Sequence, residues 1–384
     1  MKKVLKTMIV ILEAAIILFI FSGCWDYHEM ETYSIVAGMA IDKGQNGYKY
    51  HVTFECVKMS GSGKSQQIEP LLLNADGNTI FDAVRSTLRE SDKKLYFSHC
   101  KIIIVGSDIA KEGLRPVLDW MKRDAEPRLT QDLLVSKEKT AEEILRVKPQ
   151  SVQLLSFQIA STLEESTGFY GSPTSLQLYE VTNILNSDGL ELVLPAIEKK
   201  PAMDGDTVQL SGGAVFKSDK QIGWLSPDQD RYYNYVRDKI KGGLLVTGPT
   251  PGSTNVTLEI IDSKTTVKPS VSGQSASVEI NVKIRAAYAE QDGETDFLTK
   301  VGLAQVEKYA EKTLEFEIES NVKNVQQRFD SDIFGFGSKI HQSKPKEWDQ
   351  VNKNWDQIFK AMKVKVNAEV KIDNTGLSLP KVGD

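Results

Sequence analysis

The spacing of apolar side chains divides the chain into predicted strands and helices. Residues 34–42 and 48–59 each carry an alternating pattern, and the Gly/Asn-rich segment 43–47 lies between them. Two such runs across a turn of this kind predict a β-hairpin. The next predicted elements are a helix at 79–90 capped by Asn78, a strand at 101–105, a helix at 108–122, a strand at 131–136, a short helix from Thr140, mostly helical structure over 154–188 and a strand at 193–197.

The second half of the pattern contains a long helix. Over 299–329, apolar residues recur at steps of three and four with almost no helix breaker, which predicts one amphipathic helix. A shorter helix carrying Trp348 and Trp355 follows, and the alternating run 361–372 predicts a half-exposed strand. Before the long helix we predict a hairpin at 207–217 and 221–225, a helix from Ser226-Pro227-Asp228, and strands at 244–247, 255–266 and 275–289.

Strands that alternate with helices after a hairpin predict a mixed sheet with helices packed on it. The fold class is therefore α+β, with several domains and the long amphipathic helix in the last one. The polar, proline-containing segment 199–206 is the natural boundary. We predict a signal peptide at 1–23, an N-terminal α/β region at 24–200, a middle hairpin-helix domain at 201–255 and a C-terminal α+β domain at 256–384.

The chain begins with the features of a bacterial lipoprotein signal. Three lysines precede an apolar run over 8–21, and Ser22-Gly23 stand directly before Cys24. A positive start, a short apolar run and a small-residue cleavage site are typical of a secretory signal. We predict that lipid on Cys24 holds the mature chain at a membrane. The alternative is an uncleaved amino-terminal anchor, and both interpretations place the rest of the chain outside the cytoplasm.

Composition narrows the class of partner. The chain has 384 residues, 26% charged and 40% hydrophobic, which is typical of globular domains. Its net charge is −5 and it has no basic cluster, so we expect no nucleic-acid partner. For the same reason we expect the lipid, and not a polybasic patch, to supply membrane attachment.

Two cysteines remain beyond Cys24, and the sequence leaves their state open. Cys56 lies on the apolar side of an alternating strand and Cys100 comes just before another strand. They could form a disulfide outside the cytoplasm, or they could be small buried hydrophobic residues. The four histidines lie far apart in sequence, so we expect no metal site and no cofactor.

The sequence contains no pattern that predicts catalysis. A nucleophile elbow, a phosphate-binding loop and a zinc helix are all missing from it. We interpret Gly335 and Gly337 as the end of the long helix, and Asp204 and Asp206 as part of a solvated turn. The neighbouring tyrosines 232, 233 and 235 are expected to pack in the core or at an interface, and the two tryptophans are expected to pack in the core. The protein is therefore not expected to be an enzyme.

The segment Cys24-Trp25-Asp26-Tyr27-His28-Glu29-Met30, followed by the apolar strand that ends Ile41-Asp42, resembles the opening of the Ger(x)C family. These are the C-subunit lipoproteins of spore germinant receptors in Bacillus and its relatives. The segments 126–130 (Glu-Pro-Arg-Leu-Thr) and 332–337 (Asp-Ile-Phe-Gly-Phe-Gly), and the closing strand, are also similar to the family. Tyr27-His28 and Ile333 depart from its usual residues.

The resemblance implies a non-catalytic subunit with an α+β fold in three domains. It also implies a place on the outer surface of the spore's inner membrane, beside integral-membrane A and B subunits, and a requirement for the response to nutrient germinants. Trp25 and Asp26, next to the anchor, are candidate contacts with the membrane or with a partner subunit. The alternative function is a lipid-anchored extracytoplasmic solute-binding protein, which should show two α/β lobes of similar build.

Overall fold

The computed structural model of the protein describes residues 2–21, 32–60, 67–123, 126–150, 154–172, 175–249, 255–293, 295 and 297–374. The helices in these ranges are α1 (Lys2–Phe21), α2 (Ile80–Ser86), α3 (Ser107–Glu112), α4 (Arg115–Arg123), α5 (Glu142–Leu145), α6 (Leu155–Phe169), α7 (Leu178–Leu185), α8 (Pro227–Val236), α9 (Lys300–Arg328), α10 (Phe336–Ser343), α11 (Pro345–Val351) and α12 (Trp355–Ala361). The strands are β1 (Tyr33–Lys43), β2 (Tyr50–Ser60), β3 (Gln67–Gly77), β4 (Lys94–Tyr96), β5 (Ile102–Val105), β6 (Asp132–Ser136), β7 (Val193–Ala202), β8 (Gly205–Lys217), β9 (Lys220–Leu225), β10 (Leu244–Thr247), β11 (Val256–Ser272), β12 (Ser275–Gln291) and β13 (Lys363–Asn374).

Nine of the described strands form the first sheet, in the order β3-β2-β1-β5-β6-β7-β8-β9, with β4 paired parallel to the first residues of β1. The predicted β1–β2 hairpin is confirmed, and its turn contains Asn46 and Gly47 at φ values of 55° and 93°. Strands β1, β5, β6 and β7 pair in parallel, so the sheet is mixed, as predicted. Strand β3 was not predicted, because its first half is polar and includes Pro70.

Helices cover both faces of this sheet. Ile103 and Val105 of β5 pack into a cluster with α2, α3, α4 and α7, whereas Ile102 and Ile104 pack into a second cluster with α5 and α6. All four side chains are fully buried. A short continuous apolar run is what a parallel strand covered on both faces requires.

Two helix predictions in this region were wrong. The predicted helix at 108–122 is two helices, because Gly113 ends α3 at φ 135° and the next N–H, of Leu114, donates to the carbonyl of Asp219. The N-cap of α2 is Thr79 instead of Asn78. The Thr79 hydroxyl accepts a hydrogen bond from the Asp82 N–H at 3.0 Å.

The second sheet has the order β10-β11-β12-β13. Strands β11 and β12 form a long hairpin, and β13 returns parallel to β12 after α9. Helix α9 confirms the predicted long helix. The Thr299 hydroxyl caps it by accepting from the Gly302 N–H at 3.0 Å, and its apolar face is buried at Val306, Ala310, Leu314, Ile318, Val322 and Val325.

A row of glutamates on α9 covers the outer edge of β13. Side-chain oxygens of Glu307, Glu311 and Glu315 accept hydrogen bonds from backbone N–H groups of β13. The donors are Ile372, Val370 and Ala368, at 2.9, 3.2 and 3.1 Å respectively. The glutamates are four residues apart, so they lie along one side of the helix. The edge strand therefore has acceptors for N–H groups that would otherwise face solvent.

The predicted division into three domains stays a prediction, but one of its boundaries falls inside a paired region. Strand β7 runs through residue 200 to Ala202 and pairs with β8. The hairpin assigned to the middle domain therefore continues the first sheet.

The helix predicted from Ser226 is confirmed as α8, with a reciprocal capping box between Ser226 and Gln229.

Candidate functional site

The predicted site residues lie near the amino terminus of the chain. Cys24, Trp25 and Asp26 are outside the described residues, so the lipid and the contacts proposed for them stay predictions. The apolar run 8–21 falls within α1. In the part of the chain that the structure describes, no helix is both long and apolar enough to span a bilayer.

The described chain resumes at residue 32, and Tyr33 belongs to a small cluster of side chains at the start of β1. Tyr33 pairs in register with Lys94 of β4, and the Lys94 ammonium lies 5.9 Å from the centre of the Tyr33 ring. Lys94 also forms a 2.5 Å ion pair with Glu126, the first residue of the family-like segment 126–130. The Tyr33 and Tyr96 rings are 5.5 Å apart. The segment 126–130 therefore lies beside the point where β1 begins.

The second family-like segment builds a cage around the Asp332 carboxylate. One oxygen accepts from the backbone N–H groups of Gly335 and Phe336, at 2.9 and 3.2 Å. The other accepts from the Gly337 N–H at 2.8 Å and from the Trp355 indole at 3.0 Å. The side chain is 2% exposed, and burial raises the pKa of Asp332 to about 6, although these four donors favour its charged form.

The glycines of this segment have structural roles that differ from our interpretation. Helix α9 already ends at Arg328, and Gly335 is the left-handed N-cap of α10, at φ 75°. A side chain at Gly337 would come within 2.7 Å of the Trp355 indole nitrogen and 2.9 Å of Gly189. Interpreting the pair as the end of the long helix was therefore wrong, since it begins the next helix instead.

The segment that forms this cage also contacts residues in and beside the first sheet. The Ser331 hydroxyl donates to the Phe216 carbonyl at 2.7 Å, and the Glu191 N–H donates to the Asp332 carbonyl at 3.0 Å. The Lys217 ammonium reaches the Asp330 carbonyl at 2.7 Å and the Asp356 carboxylate at 2.5 Å. Since each Asp332 oxygen already accepts two hydrogen bonds, the arrangement fixes a junction and does not present a reactive carboxylate.

Two further buried carboxylates cap helices that are distant in sequence. Asp42, at the end of the family-like opening strand, accepts from the N–H groups of Ala141 and Glu142 at the start of α5, at 2.6 and 2.9 Å. Burial is the main cause that raises its pKa. Glu55 accepts from Leu155 and Ser156 at the start of α6, both at 2.8 Å. Neither role was predicted from the sequence. In the alternation of β2, Glu55 lies on the face opposite Phe54 and Cys56, where the pattern predicts a polar, exposed side chain, so no local signal marked it as buried.

The aromatic side chains of α8, α11 and α12 lie in the core of the protein. Trp348 and Trp355 are 4% and 5% exposed, with ring centres 5.3 Å apart, so their predicted core positions are confirmed. The three tyrosines of α8 are also buried. Among the described residues, no group of three or more His, Cys, Asp or Glu side chains could hold a metal ion.

Cys56 and Cys100 are both free and buried, which settles the question that the sequence left open. Burial raises the pKa of the Cys56 thiol to about 12, and it also raises the pKa of the Cys100 thiol. The Cys100 thiol donates to the Ile102 carbonyl at 3.4 Å. Both side chains pack as small hydrophobic residues in the cluster that also contains Ile103 and Val105.

The architecture does not show the two similar lobes expected of the solute-binding alternative. Within the described ranges, one sheet has nine strands and the other has four. The two sheets also differ in their helices: among the described helices that pack on the first sheet, none is similar in length to α9.

Comparisons with known proteins cover almost the whole chain. Residues 26–199 match the family described as "Spore germination protein N-terminal domain", and residues 211–376 match "Spore germination B3/ GerAC like, C-terminal". The chain is 25% identical to Spore germination protein B3 of Bacillus subtilis (strain 168), over 92% of this chain and 94% of that one. It is 24% identical to Spore germination protein KC of the same strain, over 93% of each.

A solved structure shares the fold. The structure described as "Crystal Structure of the GerBC protein" aligns with a TM-score of 0.56 at 21% identity, and covers 91% of this chain and 100% of its own. The caged aspartate, the buried tryptophans and the long helix thus all lie in the part of the chain, residues 211–376, that matches the C-terminal one of the two spore-germination families. This chain is a member of the Ger(x)C family of spore germination proteins.

Proposed function

We propose that this chain is the lipid-anchored, non-catalytic C subunit of a nutrient germinant receptor. The observation that carries the proposal is that the match to spore germination proteins spans both halves of the chain and nearly the full length of each relative. The fold agrees, because the family-like segments at Asp42 and Asp332 have structural roles and neither holds a reactive group.

The proposal includes a location and partners. The lipid on Cys24 would hold the protein at the outer surface of the spore's inner membrane, beside integral-membrane A and B subunits. Trp25 and Asp26 would lie at the membrane surface or against one of these subunits. The protein would act by assembling with its partners, since no chemistry of its own is required.

Deletion of the chain tests the receptor role. Spores that lack it, and that lack close paralogues, are expected to lose germination in response to nutrients. They should keep germination triggered by dodecylamine, which does not act through receptors. An unchanged nutrient response in such spores would contradict the proposal.

The anchor is tested separately by Cys24→Ala. Without a thiol to acylate, the protein is expected to leave the inner-membrane fraction, and nutrient germination should fall with it. Cys56→Ala is the matched control, because it removes a buried thiol and leaves Cys24 in place. A Cys24→Ala protein that stays in the membrane fraction and supports normal germination would show that attachment does not depend on this lipid.

A further inference from the structure

A cavity of about 500 Å³ lies between the start of α2, the face of α4 and the point where β2 begins. Cavities of this size hold small organic molecules. It lies apart from the Asp332 cage, and none of its lining residues belongs to that cage. The lining consists of Lys49, Tyr50, Asn78, Thr79, Ile80, Phe81, Pro116, Asp119, Trp120 and Arg123.

The buried part of the lining is apolar and belongs to the core. Tyr50, Ile80 and Trp120 are all buried, and they pack in the same cluster as Ile103. The Trp120 ring stands edge-on to the Phe97 ring, with ring centres 5.5 Å apart. Close-packed side chains keep their positions, so this part of the cavity is formed before any ligand arrives.

The mouth of the cavity carries exposed apolar side chains. Phe81 is 44% exposed, and Pro116 is exposed as well. The Arg85 guanidinium lies 4.8 Å from the centre of the Phe81 ring, which supports the ring outside the core. The rings of Tyr50, Phe81 and Trp120 therefore line one cavity. Aromatic rings attract another aromatic ring by more than the area that they bury, so a ring suits this lining.

Lys49 gives the cavity a preference for negative charge. Of the three charged side chains in the lining, Asp119 and Arg123 bind each other, because the Arg123 Nε donates to both Asp119 oxygens at 2.9 Å. Within the described ranges, the Lys49 ammonium makes no ion pair and lies 5.3 Å from the centre of the Tyr50 ring. An anionic group on a bound molecule would be attracted to this ammonium.

We propose that this cavity binds a small aromatic carboxylate, with its ring among Tyr50, Phe81 and Trp120 and its carboxylate beside Lys49. The inference goes beyond the receptor role and does not depend on lipid at Cys24. A ligand held between α2 and α4 binds the folded chain only, so it would also stabilise this half of the protein.

The test uses the full lipidated chain in lipid nanodiscs and two fluorinated probes. These are para-fluorophenylacetate and its neutral analogue para-fluorophenylethanol, and fluorine NMR measures the affinity of each against empty nanodiscs. Lys49→Gln removes the cation, and Lys58→Gln is its matched control, because Lys58 is exposed and lies further along the same strand. Phe81→Ala removes one ring, and Leu88→Ala is its matched control, because Leu88 is similarly exposed, at 47%.

Phe81→Ala is expected to weaken both probes several-fold. Lys49→Gln should weaken only the acetate, and by a few-fold, since an exposed ion pair contributes modestly. Both control variants should bind like the parent, and urea unfolding confirms that each variant is folded.

Four results would overturn the proposal in whole or in part. Failure of both probes to bind the folded parent chain excludes the site, and unchanged affinity in Phe81→Ala places the probe elsewhere. Equal affinity for the acetate in Lys49→Gln and Lys58→Gln overturns the assignment of a carboxylate. Displacement of the probe by cyclohexylacetate as readily as by phenylacetate overturns the assignment of an aromatic ring.

Discussion

Buried carboxylates in this protein bind backbone N–H groups at helix starts. The first N–H groups of a helix have no partner inside the helix and carry partial positive charge. Asp42, Glu55 and Asp332 each accept two or more such hydrogen bonds while being at most 3% exposed. These contacts offset the cost of burying a charge, and each fixes a helix against a strand or a loop.

Asp332→Asn is expected to lower the free energy of unfolding by about 2–4 kcal/mol. The amide nitrogen cannot accept a hydrogen bond, so it would face two buried N–H donors whichever way the side chain turns. Asp349→Asn is the control, because Asp349 is an exposed carboxylate in the following helix. Urea unfolding of both variants measures the difference, and equal stability of the two would show that the cage contributes nothing.

These caps could not be predicted from the sequence. Asp42 and α5 lie about a hundred residues apart, as do Glu55 and α6. Sequence patterns indicate only caps that lie next to their own helix. Ser226 and Thr299 are residue types typical of the N-cap position, and both cap their helices. Asn78 was preferred over Thr79, although both types of side chain suit that position. The family-like segments marked Asp42 and Asp332 as notable, but the sequence did not indicate what the two carboxylates bind.

At the scale of elements, the glutamates of α9 protect an edge strand. An unpaired strand edge can recruit another chain, and natural proteins commonly cover it. Here the cover is a helix whose carboxylates replace a neighbouring strand as hydrogen-bond acceptors for β13.

Glu311→Met is expected to destabilise the protein by about 1–2 kcal/mol and to increase aggregation, because the Val370 N–H loses its acceptor. Glu311→Gln keeps a side-chain oxygen and should stay within about 0.5 kcal/mol of the parent. Urea unfolding and light scattering on warming compare the two. A Gln variant as unstable as the Met variant would show that charge, and not the hydrogen bond, is what matters at this position.

Elements with strong periodicity were predictable and the others were not. Helix α9, the β1–β2 hairpin and β13 follow their apolar patterns closely. Strand β3 was missed because its alternation is weak at an exposed edge. The break at Gly113 was missed because the apolar spacing continues through it. Spacing of glutamates by four residues was visible in the sequence, but this spacing is also common on solvated helices.

At the scale of the whole molecule, the pH dependence of stability should reflect buried carboxyls. Burial raises the pKa of Asp230 to about 6, as it does for Asp332. Both pKa values lie above the ordinary aspartate pKa of 3.8, so between these values the folded chain binds more protons than the unfolded chain. The stabilising contribution of protonation is complete below about pH 4 and is lost as the pH rises through about 6.

Asp230→Asn should therefore raise the free energy of unfolding at about pH 8 and flatten its change between about pH 5 and 8. The two donors to this side chain, the Ser172 hydroxyl and the Asn234 amide, both reach one oxygen, which an asparagine carbonyl can replace. Asp228→Asn, at an exposed position, is the control. Urea unfolding at the two pH values decides it, and an unchanged slope would mean that Asp230 does not titrate in this range.

The second sheet is complete only after β13 has been synthesised and has paired with β12. The strand that finishes the second sheet begins at Lys363 and pairs with β12 from Ser277 onward. A product that stops before Lys363 leaves β12 with an open edge and α9 with three glutamates and no N–H groups to bind. Proteases and chaperones act on surfaces of that kind. A premature stop codon before that for Lys363 would thus lead to removal of the protein from the cell instead of leaving a shortened, working copy.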